Sequence, residues 1–119
     1  MFGNYYGKKN KYGNKKTTVN GIEFASRKEA KRYSELLLLE KSDVIEKLER
    51  QPRFILQHGF KLNGKNIRAI EYVADFKYKK TGGNWVVEDV KGFKTSEYNL
   101  KKKIFSKLYG GKYEFIEIN

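Results

Sequence analysis

Apolar positions along this chain follow two spacings. Ala30, Tyr33, Leu36 and Leu37 recur at three and four residues and predict a helix that opens at Ser26 and runs to about Lys41. Leu100, Ile104, Phe105 and Leu108 recur in the same way and predict a second core-facing helix from about Ser96 to Tyr109, ended by Gly110-Gly111. Elsewhere the pattern shortens. Residues 17 to 24, with Asn20-Gly21 at their centre, read as a short hairpin. An extended segment follows from about Val44 to Phe60, where Pro52, the only proline, limits regular pairing. Asn63-Gly64 marks the next turn, and a strand carrying Asp75 ends near Tyr78. Gly82-Gly83 leads into a strand from Trp85 to Val90, and Tyr113 to Ile118 forms the last strand. The order helix, three meandering strands, helix, strand predicts an α/β fold: a mixed four-stranded sheet flanked by helices, preceded by an N-terminal hairpin. The final crossover is expected to be right-handed.

Two of these strands break their own pattern. Tyr72-Val73-Ala74-Asp75-Phe76-Lys77 and Val86-Val87-Glu88-Asp89-Val90-Lys91-Gly92 are rich in β-branched and aromatic residues, yet each carries a carboxylate where a buried strand would carry an apolar side chain. A buried, unpaired carboxylate is costly, so two on adjacent strands ask for a cation between them. Lys91 stands two residues beyond Asp89 and leaves the strand on the same face. Glu88 alternates to the opposite face, and only a bulge would bring it to the same site. The alternative for Asp89 and Lys91 is a salt bridge on an exposed strand, although both strands are otherwise too apolar for that role.

Phosphodiester hydrolysis needs an activated water, neutralisation of charge on the phosphoryl oxygens and a stabilised leaving oxygen. One or two divalent ions held by carboxylates supply most of this. Magnesium suits such hard oxygen donors, with manganese as a substitute. Asp75 and Asp89 are the expected ligands, the Val90 carbonyl a further one, and Lys91 the expected catalytic lysine. Glu29, in the first turn of the first helix, is a fourth candidate acid. It also completes a capping box with Ser26, and the sequence leaves the two roles open. Gln51, Arg53 and Gln57 could orient a water or meet a phosphate, or be structural.

Composition narrows the field. A chain of 119 residues suits one compact domain, expected over residues 17–119. It has no cysteine, which excludes disulfides and thiolate zinc sites, and a single histidine, His58. Its longest apolar run, Leu36 to Leu39, is far short of the roughly 20 residues that cross a bilayer, and no secretory leader is visible, so an intracellular protein is expected. The net charge is +12. Residues 1–19 hold five lysines and no acid; residues 89–112 hold seven lysines against Asp89 and Glu97. Two basic zones on so small a chain suit a nucleic acid, although a merely solvated surface would also be basic. Residues 1–16 read as a flexible arm in which Lys8, Lys9, Lys15 and Lys16 would meet phosphates and Tyr5, Tyr6 and Tyr12 could stack on bases, or do neither. Lys94, Lys101, Lys102 and Lys103 surround the second helix. Lys102 and Lys103 are expected on its solvent side as phosphate contacts, and Lys101 nearer the apolar face.

Asp75, thirteen intervening residues and Asp89-Val90-Lys91 resemble the PD-(D/E)XK nuclease superfamily, with Ala74 where that motif often has proline. Residues 22–118 follow that fold's order. The stretches Glu29 to Tyr33, Gln51-Pro52 with Phe54, Ala74-Asp75-Phe76 and Glu88 to Gly92 look like a small, mostly phage-encoded branch. That branch is similar to archaeal-type Holliday-junction resolvases and to the nuclease subunit of Tn7-like transposition. The resemblance implies a restriction-endonuclease-like core, a magnesium-dependent DNA endonuclease acting in recombination or repair, and catalytic roles for Asp75, Asp89, Lys91 and Glu29. It implies a host-cell cytoplasmic location if phage-encoded. A two-fold dimer would suit cleavage of two strands. The competing expectations are a nucleic-acid-binding module of the same fold without catalysis, and a partner-binding protein whose charge serves assembly.

Overall fold

The structure is a computed structural model and describes residues 16–119. Lys8, Lys9, Lys15 and the tyrosines of the expected arm lie outside the described residues; Lys16 is exposed just before the first strand. The chain divides into two compact units, one extending to Leu38 and one spanning Leu39–Asn119.

In the first unit, β1 (Thr17–Val19) and β2 (Ile22–Phe24) pair antiparallel about Asn20 and Gly21. Both turn residues have positive φ, 53° and 79°, as a two-residue hairpin turn requires. α1 (Arg27–Lys41) follows, and it buries Ala30, Tyr33 and Leu36 as its spacing predicts. The Phe24 ring packs on Tyr33 with centroids 5.1 Å apart.

The second unit opens with β3 (Ile45–Arg50) and β4 (Arg53–Gln57), separated at Gln51-Pro52. β5 (Phe60–Leu62) and β6 (Lys65–Ile67) form a small hairpin, and the chain returns through β7 (Ile70–Val73) and β8 (Phe76–Lys80). β9 (Trp85–Val90), α2 (Ser96–Tyr109) and β10 (Tyr113–Ile118) complete it. The main sheet is mixed and four-stranded, in the order β10-β9-β8-β3. β10 runs parallel to β9, as a crossover through α2 demands, and β8 is antiparallel to both its neighbours.

Two expectations change. The strand carrying Asp75 is not continuous: it bends at Ala74-Asp75, opposite the break at Gln51-Pro52. Backbone bonds bridge the two bends, Gln51 N–H donating to Asp75 O (2.9 Å) and Ala74 N–H to Pro52 O (3.1 Å). Gln51 turns the corner at φ 51°. β3–β4 and β7–β8 are thus one antiparallel ribbon kinked in the middle. β8 stays in the sheet and β7 leaves it to pair with β4.

The second correction concerns α2. Phe105 is fully buried and Ile104 partly so, but Leu100 and Leu108 are 59% and 54% exposed. The buried stripe instead runs through Tyr98, Phe105 and the half-buried Tyr109, one step around the helix from the expected face. Aromatic side chains supply it: Phe105 packs against Phe54, Tyr72, Tyr109 and Phe115 with centroids 4.8 to 5.8 Å apart.

A row of carboxylates at the strand ends

β9 is buried on both faces: Val86, Val87 and Glu88 are inaccessible and Asp89 is 1% exposed. Alternation sets Val87, Asp89 and Lys91 towards α2 and Val86 and Glu88 to the other side. On that other side Tyr78 donates its hydroxyl to Glu88 Oε2 (2.5 Å).

The β8–β9 register pairs Phe76 with Glu88, so Asp75, one residue outside β8, stands next to Asp89. Because of the bend, Asp75 does not continue the ladder into β7. Its N–H donates to Glu88 O (3.1 Å), and its carboxylate Oδ2 accepts from Val90 N–H (2.7 Å). An extended residue sends its N–H and C=O to the same strand edge, so the Val90 carbonyl leaves on the Asp75 side.

Asp89 is held from two directions. The Tyr72 hydroxyl, carried by β7 after the bend, donates to Oδ2. Lys91 Nζ lies 3.1 Å from Oδ1, yet Oδ1 makes no hydrogen bond of proper angle. The contact is charge against charge, at a buried oxygen that keeps unspent acceptor capacity. The Lys91 ammonium also sits 4.5 Å above the Tyr98 ring, a cation–π contact that fixes it over the helix start.

Glu117 was missed by the sequence reading. It is the register partner of Asp89 on β10, hence on the same face. Tyr98 donates its hydroxyl to Glu117 Oε2 (2.5 Å), Lys102 Nζ reaches the same oxygen (3.1 Å), and Lys94 Nζ reaches Oε1 (3.1 Å). These donors hold its pKa down at about 2, Tyr98 first, against the opposing effect of burial. A signal was available: Tyr113 and Phe115 set the core face of β10, and Glu117 continues their alternation.

Asp75, Asp89 and Glu117 therefore stand in a row across the ends of three neighbouring strands. Both tyrosines between them are pushed above the ordinary tyrosine range, chiefly by burial, then by the hydrogen bonds to Asp89 (Tyr72) and Glu117 (Tyr98). Asp75 and Asp89 each add a negative charge felt by both hydroxyls, so the two carboxylates share one electrostatic environment.

The basic side chains are distributed unevenly. Lys94 and Lys102 turn inward to Glu117, which corrects the solvent-side expectation for Lys102. Lys101 pairs with Glu97 (3.1 Å), and Lys103 is exposed. Thr95 caps α2, its Oγ1 accepting from Tyr98 N–H (3.0 Å). An open cleft of about 250 Å³ lies here, lined by Tyr72, Lys91, Thr95, Tyr98 and Lys101 among others. Gln51 and Arg53 have structural contacts, Gln51 to Asp75 O and Arg53 to Glu71 (2.9 Å), while Gln57 is exposed. Glu29 belongs to the first unit, half-buried, where Ser26 Oγ accepts from its N–H (3.2 Å), the first half of the capping box.

Among the described residues no three His, Cys, Asp or Glu side chains gather as a ready-made metal cage. What is present is an all-oxygen donor set: Asp75, Asp89 with its unbonded Oδ1, and the Val90 carbonyl. That set fits a hard divalent ion that keeps several waters of its own. No helix of the described residues is long and apolar enough to cross a membrane.

No curated protein and no solved structure matches this chain. Over residues 9–117 it matches the model of a family described as "Protein of unknown function (DUF1064)", and it belongs to that family.

Proposed function

We propose that this protein is a magnesium-dependent DNA endonuclease with a PD-(D/E)XK type of active site. The observation that carries the reading is the buried Asp89 carboxylate. Its Oδ1 makes no hydrogen bond, faces the Lys91 ammonium at 3.1 Å, and lies beside Asp75 across the β8–β9 register. Structural ion pairs in a core normally satisfy every oxygen. An oxygen left with spare capacity next to a second acid and a lysine suits a site that completes itself with a ligand. The succession of α1, the antiparallel strands β3, β8 and β9, the crossover helix α2 and the parallel strand β10 supports a restriction-endonuclease-like core.

Asp75, Asp89 and the Val90 carbonyl would hold the ion. A bound magnesium would lower the pKa of a water and neutralise phosphoryl charge. Tyr72 fixes the rotamer of Asp89, and the Val90 N–H fixes that of Asp75. The Tyr98 ring holds Lys91 over the cleft, where its ammonium would orient the attacking water or stabilise the phosphate. Glu29 lies in the first unit, where its backbone completes a helix cap, and no metal-binding role is assigned to it. The DNA would be branched or duplex DNA handled in recombination or repair.

One observation favours a second reading, a nucleic-acid-binding module without catalysis. Tyr72 and Lys91 already occupy the two sides of Asp89, and no three-acid cage is present among the described residues. Incubation with branched, single-stranded and linear duplex DNA, in magnesium, manganese or EDTA, separates the two. Metal-dependent cutting that disappears in both Asp89→Ala and Lys91→Ala supports the nuclease. Tight binding with no cutting of any substrate supports the binding module and overturns the nuclease.

A further inference from the structure

Residues 57–70 form the part of the second unit that shares least with its core. The β5–β6 hairpin forms its own two-stranded sheet, and from Gln57 to Ile70 only Ile67 is even half-buried. Phe60 and Leu62 are 47% and 54% exposed. A two-stranded hairpin without a packed face is marginal in water, so exposed apolar groups on one are a feature that needs a partner.

Its shape is nevertheless well defined. Asn63 and Gly64 turn at φ 49° and 78°, and the register is Phe60 with Ile67, Lys61 with Asn66, Leu62 with Lys65. At its base Gly59 is required, because a Cβ there would stand 2.8 Å from Ile67 O. Alternation gives the ribbon two faces. One carries Phe60, Leu62, Ile67 and Lys65, the other Lys61 and Asn66.

Its charge is as one-sided as its exposure. Lys61, Lys65 and Arg68 are accompanied by no acid between Gln57 and Ile70. Lysines of the sheet are matched, Lys77 by Glu49, Lys79 by Glu46 and Lys80 by Glu114. Lys61, Lys65 and Arg68 make no ion pair among the described residues.

We propose that the β5–β6 hairpin is a second nucleic-acid contact that lies in a groove of duplex DNA, with Lys61, Lys65 and Arg68 on phosphates and Phe60 and Leu62 against sugars and base edges. The partner rests on the DNA reading above; the site is separate from the carboxylate row. A two-stranded ribbon fits the major groove, and three unmatched cations on it complement the backbone charge. Phe60 and Leu62, on the face that also carries Lys65, give contact area that does not depend on sequence.

The test measures anisotropy of a short labelled duplex in EDTA across a salt series, for the wild type and for Lys61→Glu/Lys65→Glu/Arg68→Glu. The corresponding triple glutamine variant serves if the glutamate one does not fold, and thermal melting controls for the fold. Affinity is expected to drop at least tenfold, with the log–log salt slope shallower by roughly 2 to 3, at about 0.9 per lost phosphate contact. Phe60→Ser/Leu62→Ser should weaken binding while leaving the slope unchanged. If the wild type cuts and binds DNA and the triple variant keeps its affinity and slope, this proposal fails and the nuclease stands. If the wild type binds no DNA at low salt, both fail. A wild-type dimer that Phe60→Ser/Leu62→Ser converts to monomer, with DNA affinity intact, overturns the proposal in favour of a second copy of the chain as partner.

Discussion

Glu117 stands beside Asp89 across the parallel β9–β10 pair, each held by a tyrosine hydroxyl from a different element. The two acids nevertheless differ in company. Glu117 accepts from Tyr98 and meets two lysines; Asp89 meets Tyr72 and one lysine, and keeps an oxygen without a hydrogen bond.

That difference gives a pH test. The Glu117 pKa is about 2, against 4.5 for an unperturbed glutamate. A depressed folded-state value means stability that is present above the unfolded pKa and lost as pH falls through the folded one. The stability gap between wild type and Glu117→Gln should therefore be constant from neutral pH down to about 5, and shrink from about 4.5 towards 2. Urea titrations across that range check it; a gap independent of pH would remove the charge argument.

Tyr72→Phe keeps the ring among its aromatic neighbours and deletes only the hydroxyl that Asp89 accepts from. The buried acceptor then loses its partner, at a cost of about 1–3 kcal/mol. Denaturant unfolding measures the loss. DNA cleavage should fall as well, because Asp89 would no longer be held in one rotamer.

Lys91→Gln should leave the circular dichroism spectrum intact and lower the cleavage rate on the order of 10²-fold or more, the usual effect of losing a positioned catalytic group. Single-turnover kinetics at saturating DNA separate this from weaker binding. An unchanged rate would exclude Lys91 from the chemistry.

In the core of the second unit, Phe105→Ala should cost about 3–5 kcal/mol, since the ring is fully buried among aromatics. Leu100→Ala and Leu108→Ala, at largely exposed positions, should stay within about 0.5 kcal/mol. Equal effects at all three positions would mean that α2 packs through the leucine face after all.

Much of the architecture was legible because local signals agreed with it. Asn-Gly pairs placed two hairpin turns, and the bounds of α2 and of strands 85–90 and 113–118 follow their periodicity. The errors arose where a tertiary constraint outweighed the local pattern. Leu100 and Leu108 make a good apolar stripe, but a tyrosine that can hydrogen-bond to Glu117 fits better beside the carboxylate row, and Tyr98 won the inner face. The stretch through Asp75 alternates like a straight strand; the bend depends on Gln51 at positive φ and on Pro52, which lie on the partner strand. That Asp75, Asp89 and Lys91 lie close together was legible from a carboxylate on an apolar strand. The same rule, extended to the last strand, reaches Glu117. The ion pair of Lys102 was not legible because its partner Glu117 is remote in sequence.

The kink at Gln51-Pro52 and Ala74-Asp75 also determines how this protein can vary. The chain departs from the sheet and comes back at adjoining backbone positions, so everything from Arg53 to Val73 is an excursion that the four-stranded sheet does not need for its own pairing. Lengthening such an excursion at its tip adds only a logarithmic closure cost. The outer end can therefore be exchanged for another sequence while Asp75, at its root, keeps its address.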